Sequence, residues 1–256
     1  MAALYIGTSG WTYTGWRGIF YPPGLKRREL LSHYSKRFNS VEITECFERL
    51  PAESSFQTWA RKTPESFVFP VMVSKHITYG RRLEGVAEEW QEFLDRVTPL
   101  GDKLGPLLFQ FQPSFERDIG RIERFLDTAR GAREHDLAME FRHPSWFDPL
   151  ALDDLRQLGV GVVIAQSERY PQAPRVPTTR FAYLRFHGPG QLFASSYSEE
   201  DLRPWARKIR KWLDQDRTVY AYFNNDFEGH AFANARALRR MVEGKPVSRS
   251  EEVAHH

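Results

Sequence analysis

Polar residues stand at or near the ends of short β-type runs where a purely structural strand would continue with Val, Ile or Leu: Glu42, Gln110, Glu140, Arg142, Arg185, His187, Asn224 and Asn225. Glu140 and Arg142 are two apart in Met139-Glu140-Phe141-Arg142-His143, so in an extended chain both project to the same side. The pair reads either as an ion pair filling a barrel interior or as an acid/base carboxylate held by an arginine. Arg185 and His187 repeat that spacing and lead into His187-Gly188-Pro189-Gly190. Two cationic groups ahead of glycines suit an anion. Asn224, Asn225 and Asp226, followed by Gly229 and His230, close the last run and open a helix; they are helix caps, alone or with ligand contact added. The expectation is a phosphate or carboxylate bound between Gly188–Tyr197 and the helix that starts after Asn225. Glu140, Glu42 and His187 are the catalytic candidates. Gln110, Arg142, Arg185, Gly188, Asn224 and Asn225 are the ligand-binding ones.

A second group is aromatic. Trp11, Tyr13 and Trp16, with Phe20 and Tyr21, sit among Gly, Thr and Pro in the first loop, where no helical period explains them. They form either a wall for a sugar or base or a plug beneath the loop, and the wall is the reading adopted. Metal binding has little support, since HxxxH, HExxH and a cysteine set are all missing, and neither a metal nor a cofactor is expected. Cys46 is the single cysteine, and Ser9 in Gly7-Thr8-Ser9-Gly10 reads as a turn residue.

The elements that must position these groups follow from periodicity. Strand-type runs occupy Leu4–Thr8, Ser40–Thr44, Phe67–Val73, Leu107–Phe111, Leu137–Phe141, Val160–Gln166, Phe181–His187 and Val219–Asn224. Between them lie apolar residues three and four apart, such as Leu83, Val86, Trp90, Phe93, Leu94 and Val97, or Leu202, Trp205, Ile209, Trp212 and Leu213. Further helices are expected at about 25–38, 52–62, 116–130, 149–158 and 229–243. The exception follows the sixth run, where Pro171, Pro174 and Pro177 break any helical period, so that helix is expected to be reduced or irregular. Eight alternations without a GxGxxG or GxxxxGK[ST] fingerprint predict an eight-stranded parallel (β/α)8 TIM-like barrel. Residues 1–245 form its single domain and 246–256 a C-terminal tail. Long, unusual loops follow the strands and short ones precede them, which places the site at the C-terminal face.

With 256 residues, 41% hydrophobic and 27% charged, the chain fits one ordinary folded domain. A net charge of +3 leaves any basic footprint to local clustering. The N-terminal residues lack the layout of a secretion signal, and no apolar run approaches the ~20 residues of a membrane span. A cytoplasmic protein with no membrane role is expected, its oligomeric state unspecified.

The chain resembles the YecE-like family, the domain of unknown function 72. The resemblance rests on Ile6-Gly7-Thr8-Ser9-Gly10-Trp11, Phe20-Tyr21-Pro22, Phe38 to Ile43, Arg49-Leu50-Pro51, Leu104-Gly105-Pro106, Glu140 to Trp146, His187-Gly188 and Tyr222 to Asp226. It implies a TIM-like barrel without an assigned reaction, and it adds Trp146 to the expected ligand contacts. This sequence departs from the family pattern at Thr44, Glu48, Met72, Tyr79 and Gln166. The functional expectation is an enzyme acting by acid/base chemistry on an anionic small molecule, a sugar or nucleotide derivative bearing phosphate or carboxylate. A nucleic-acid binding or processing protein and a non-catalytic ligand-binding or interaction protein are the alternatives.

Overall fold

The computed structural model describes residues 2–245; the expected tail, 246–256, lies outside the described residues. Seven parallel strands are present: β1 Leu4–Thr8, β2 Phe69–Met72, β3 Leu104–Gln110, β4 Leu137–Glu140, β5 Gly161–Gln166, β6 Phe181–Phe186 and β7 Thr218–Phe223. They form one curled sheet in the order β1-β7-β6-β5-β4-β3-β2. Its helices are α1 Leu30–Tyr34, α2 Glu45–Glu48, α3 Glu53–Arg61, α4 Ala87–Val97, α5 Ile119–Thr128, α6 Pro149–Gln157, α7 Glu199–Asp214 and α8 His230–Glu243.

The expected strand at Ser40–Thr44 is not a regular strand of this sheet. That segment makes isolated parallel bridges, Ser9 to Glu42 on one side and Ser40 to Val68 and Ile43 to Val71 on the other. It passes so close to β1 that a Cβ on Gly7 would lie 2.1 Å from the Ser40 carbonyl oxygen, so only glycine fits at position 7. Between β5 and β6, where three prolines interrupt the helical pattern, the described residues hold no helix.

Period-two alternation divides the side chains. One set, with Phe109, Met139, Ile164, Leu184 and Phe223, packs against the helices. The other fills the concave interior with Leu108, Ala138, Val163, Phe181, Tyr183, Tyr220 and Tyr222. Helix starts are fixed locally: the Asp118 and Asp148 carboxylates accept from Arg121 N and Ala151 N, and Ser198 and Asp201 form a reciprocal capping box. The first loop is pinned beneath itself, with Trp16 fully buried against Tyr13, Phe20 and Phe232. The expected aromatic wall is therefore a plug at Trp16. Trp11, 3% exposed, packs edge-on to Trp59.

Candidate functional site

The interior-facing set continues past the apolar layers into polar residues at the C-terminal strand ends. Arg185, two residues beyond Tyr183 on β6, is 2% exposed and sits at the centre. Its Nη1 donates to Glu140 Oε2 at 2.6 Å and to Gln110 Oε1 at 3.0 Å, and its Nη2 donates to Glu42 Oε2 at 2.8 Å. The Tyr183 hydroxyl donates to the other Glu42 oxygen at 2.8 Å. Arg142 adds a second guanidinium, with Nε and Nη2 donating to Glu140 Oε1 at 3.2 and 3.1 Å. Its Nη1 lies 3.5 Å from the Tyr79 hydroxyl, which accepts from Gln110 Nε2 at 2.8 Å.

His187 completes the group. Its Nε2 lies 3.5 Å from Glu140 Oε1, and its Nδ1 is 3.2 Å from the Asn224 amide nitrogen. An ionised carboxylate only accepts, so the ring carries its proton on Nε2 and Nδ1 takes the Asn224 N–H. Burial pushes the imidazole below its ordinary value, helped by the charges of Arg185 and Arg142 and opposed by Glu140. Burial alone would raise the Glu140 carboxyl, but Arg185 and then Arg142 outweigh it and hold Glu140 well below the carboxylate range. Near neutral pH the site therefore holds an ionised Glu140 beside a neutral His187. An ionised carboxylate gripped by two arginines is a poor proton donor, which favours a charge-stabilising role for Glu140 over the acid half of its expected chemistry. Glu42, fully buried and bonded to Arg185 and Tyr183, is a structural counter-ion in the same network.

Glu42, Gln110, Glu140, Arg142, Arg185, His187 and Asn224 are thus brought together by direct contacts at one end of the sheet. Other expected ligand contacts lie elsewhere. Arg185 turns into the interior and does not face the start of α8. The Gly188 N–H donates to the Tyr197 hydroxyl at 2.9 Å, inside its own loop. Asn225 is fully buried, and its amide donates to Ser195 O and Asn234 Oδ1, tying the loop after β6 to α8. Asp226 makes no side-chain cap. Trp146 is buried, stacked on Phe141 at 4.0 Å, with its indole N–H on Phe115 O. Tyr13 is half-buried, and its hydroxyl donates to Ser9 O.

Sequence reasoning missed Tyr183, Tyr79 and Ser9 as parts of this layer, and Tyr222 with Ser40 just below it, where the two hydroxyls meet at 2.6 Å. Stepping back two residues from Arg185 and Asn224 would have found both tyrosines of the strands. Of the departures from the family pattern, Tyr79 enters the network from a π-type turn, His76–Gly80, and Met72 faces the interior. Gln166 accepts from the Tyr197 hydroxyl, Glu48 pairs with Lys75 at the surface, and Thr44 precedes α2. Among the described residues, no group of three or more His, Cys, Asp or Glu is arranged to hold a metal ion. No helix among them is long and apolar enough to cross a membrane.

Of the six buried side-chain polar atoms without a hydrogen-bond partner among the described residues, three belong to this layer, Arg185 Nε, His187 Nε2 and Ser9 Oγ; the others are Glu45 Oε2, Arg121 Nε and Asn225 Oδ1. At 3.5 Å from Glu140 Oε1, His187 Nε2 makes no hydrogen bond there, so the imidazole N–H remains an available donor. Such groups are rare in folded proteins and mark places where water, an ion or a ligand completes the structure.

Comparison with known proteins matches residues 5–255 to the family model described as "Protein of unknown function DUF72". The UPF0759 protein YunF of Bacillus subtilis is 24% identical, over 94% of this chain and 95% of that protein. The UPF0759 protein YecE of Escherichia coli K12 is 25% identical over 86% of each. The crystal structure of a DUF72 family protein from Thermotoga maritima superposes with a TM-score of 0.83 at 29% identity, covering 94% of this chain and 99% of that one.

Proposed function

Because the chain belongs to the DUF72 family, whose description names no reaction, its chemistry is read from its own residues, and we propose that it is an enzyme that binds a small oxyanion-bearing molecule at the strand ends and moves a proton through His187. The observation that carries this reading is the set of buried donors without acceptors, Arg185 Nε and His187 Nε2, beside a charge-balanced cluster. In this reading residues 1–245 act as one domain. Asn39–Ile43 completes a closed eight-part TIM-like barrel, supported by its bonds to Thr8 and Gly10 on one side and to Val68, Pro70 and Met72 on the other.

Each residue has a role. Glu140, its Oε1 3.5 Å from Nε2 of His187, stabilises by its charge the imidazolium as it forms. His187 Nδ1 is the base, reached when a substrate hydroxyl replaces the Asn224 amide. Arg142 holds the oxyanion: its guanidinium face stacks on the Tyr170 ring at 4.2 Å, and the hydrogen bond of its Nη1 is the long one to Tyr79, which leaves an edge N–H for a ligand. A titration with inorganic phosphate, glucose 6-phosphate and pyruvate, followed by calorimetry, tests this. At least one is expected to bind, with affinity falling about tenfold or more in Arg142→Met, the worth of a charge-assisted hydrogen bond. Absence of binding to all three, or binding unchanged in the variant, would overturn the assignment.

A further inference from the structure

The loops after β6 and β7 each hold an exposed phenyl ring, and that of Phe193 lies beside this site. Phe193 is 40% and Phe227 57% exposed, and the two loops meet where the Phe227 N–H points to the Phe193 carbonyl oxygen at 3.5 Å. Phe193 has a φ of +65°, a left-handed conformation that a bulky side chain rarely adopts. The backbone enforces it: the Phe193 N–H donates to the His187 carbonyl oxygen at 2.6 Å, and Asn225 fixes the same loop at Ser195. Glycine or asparagine would meet that conformation more easily. The Phe193 ring is not buried in the core; it lies edge-on to the His187 imidazole at 5.8 Å. A strained residue whose large apolar side chain remains half in solvent, against the proposed base, points to a role outside folding.

We infer that Phe193 is the specificity-determining platform for a flat aromatic ring of the substrate, so that the molecule taken is an oxyanion attached to an aryl or similar aromatic group. This rests on the proposed function above. Phenyl rings recognise such groups by offset or edge-to-face stacking, without hydrogen bonds.

Phenyl phosphate and methyl phosphate carry the same anion and differ in the ring, so their affinities for the whole protein separate the two ideas. Wild type is expected to prefer phenyl phosphate by about threefold to tenfold, a typical stacking gain. Phe193→Gly should abolish that preference, and Phe193→Tyr should keep it. Equal affinities in wild type, or a preference that survives Phe193→Gly, overturn the platform and leave the oxyanion site standing. Failure of both probes to bind overturns both ideas. Thermal unfolding of Phe193→Gly gives a second readout that needs no ligand. A midpoint at or above wild type is expected, because glycine relieves the backbone, and a clear drop would make the ring a packing element and sink the inference.

Discussion

Arg185→Ala is expected to destabilise the protein by about 3–5 kcal/mol, the cost of breaking a buried ion pair by removing one partner. The substitution leaves Glu42, fully buried, with the neutral Tyr183 hydroxyl as its remaining donor and no cation, leaves Glu140 with Arg142 as its one guanidinium, and removes the donor to Gln110. Arg142→Ala should cost less, because Glu140 keeps its 2.6 Å bond to Arg185. Urea denaturation of the two variants checks the order, and equal losses would mean that Arg185 is not the centre of the network. The sign of the pH dependence supports the same test. Glu140 has a native pKa below its unfolded value, so its contribution is present above the ordinary carboxylate range and is lost as pH falls through that range toward the native pKa. In Arg185→Ala that acid-side loss should shrink, since the larger of the two guanidinium partners holding the carboxylate ionised is gone.

Trp16→Ala is expected to lower stability by about 3–5 kcal/mol, as truncation of a fully buried tryptophan does. Trp16 contacts Phe20, Tyr21 and Phe232, and its indole N–H donates to Asp226 O at 3.0 Å. The ring therefore joins the first loop to the turn before α8, and its loss also leaves a carbonyl without its donor. A midpoint decrease of about 6–20 °C in thermal unfolding is the corresponding readout. A variant as stable as wild type that had lost ligand binding would restore the wall reading of these aromatics.

Much of this arrangement was legible in the sequence because period two fixes which side of a strand a residue faces. Glu42, Gln110, Glu140, Arg185, His187 and Asn224 all fall on the inner side, and alternation of strands with helices makes all the strand ends point one way. What alternation does not fix is how far a long side chain reaches. Arg185 reads equally well as an anion ligand at the loop or as an interior cation, and the choice depends on Glu42, 143 residues away in the chain. The segment Ser40–Thr44 has strand composition, yet tight passage over Gly7 leaves it with isolated bridges. Trp16 and Trp146 lie in loops whose composition says nothing about what lies beneath them. Phe193 gave no signal, since its importance comes from a backbone angle that the loop imposes.

The proposed base, His187, is buried and, in this reading, neutral beside an ionised Glu140, and nitrogen-15 NMR of the histidine side chains measures that state directly. A native value below the ordinary 6.5 means that the unfolded chain binds the extra proton first. The contribution of His187 to stability is then present above pH 6.5 and lost as pH falls toward its native pKa. At pH 7 the spectrum is expected to show a mainly neutral ring with the proton on Nε2, titrating with a midpoint below 6.5, and shifting when an oxyanion ligand is added. An imidazolium at pH 7, or a titration midpoint at or above 6.5, would contradict the account.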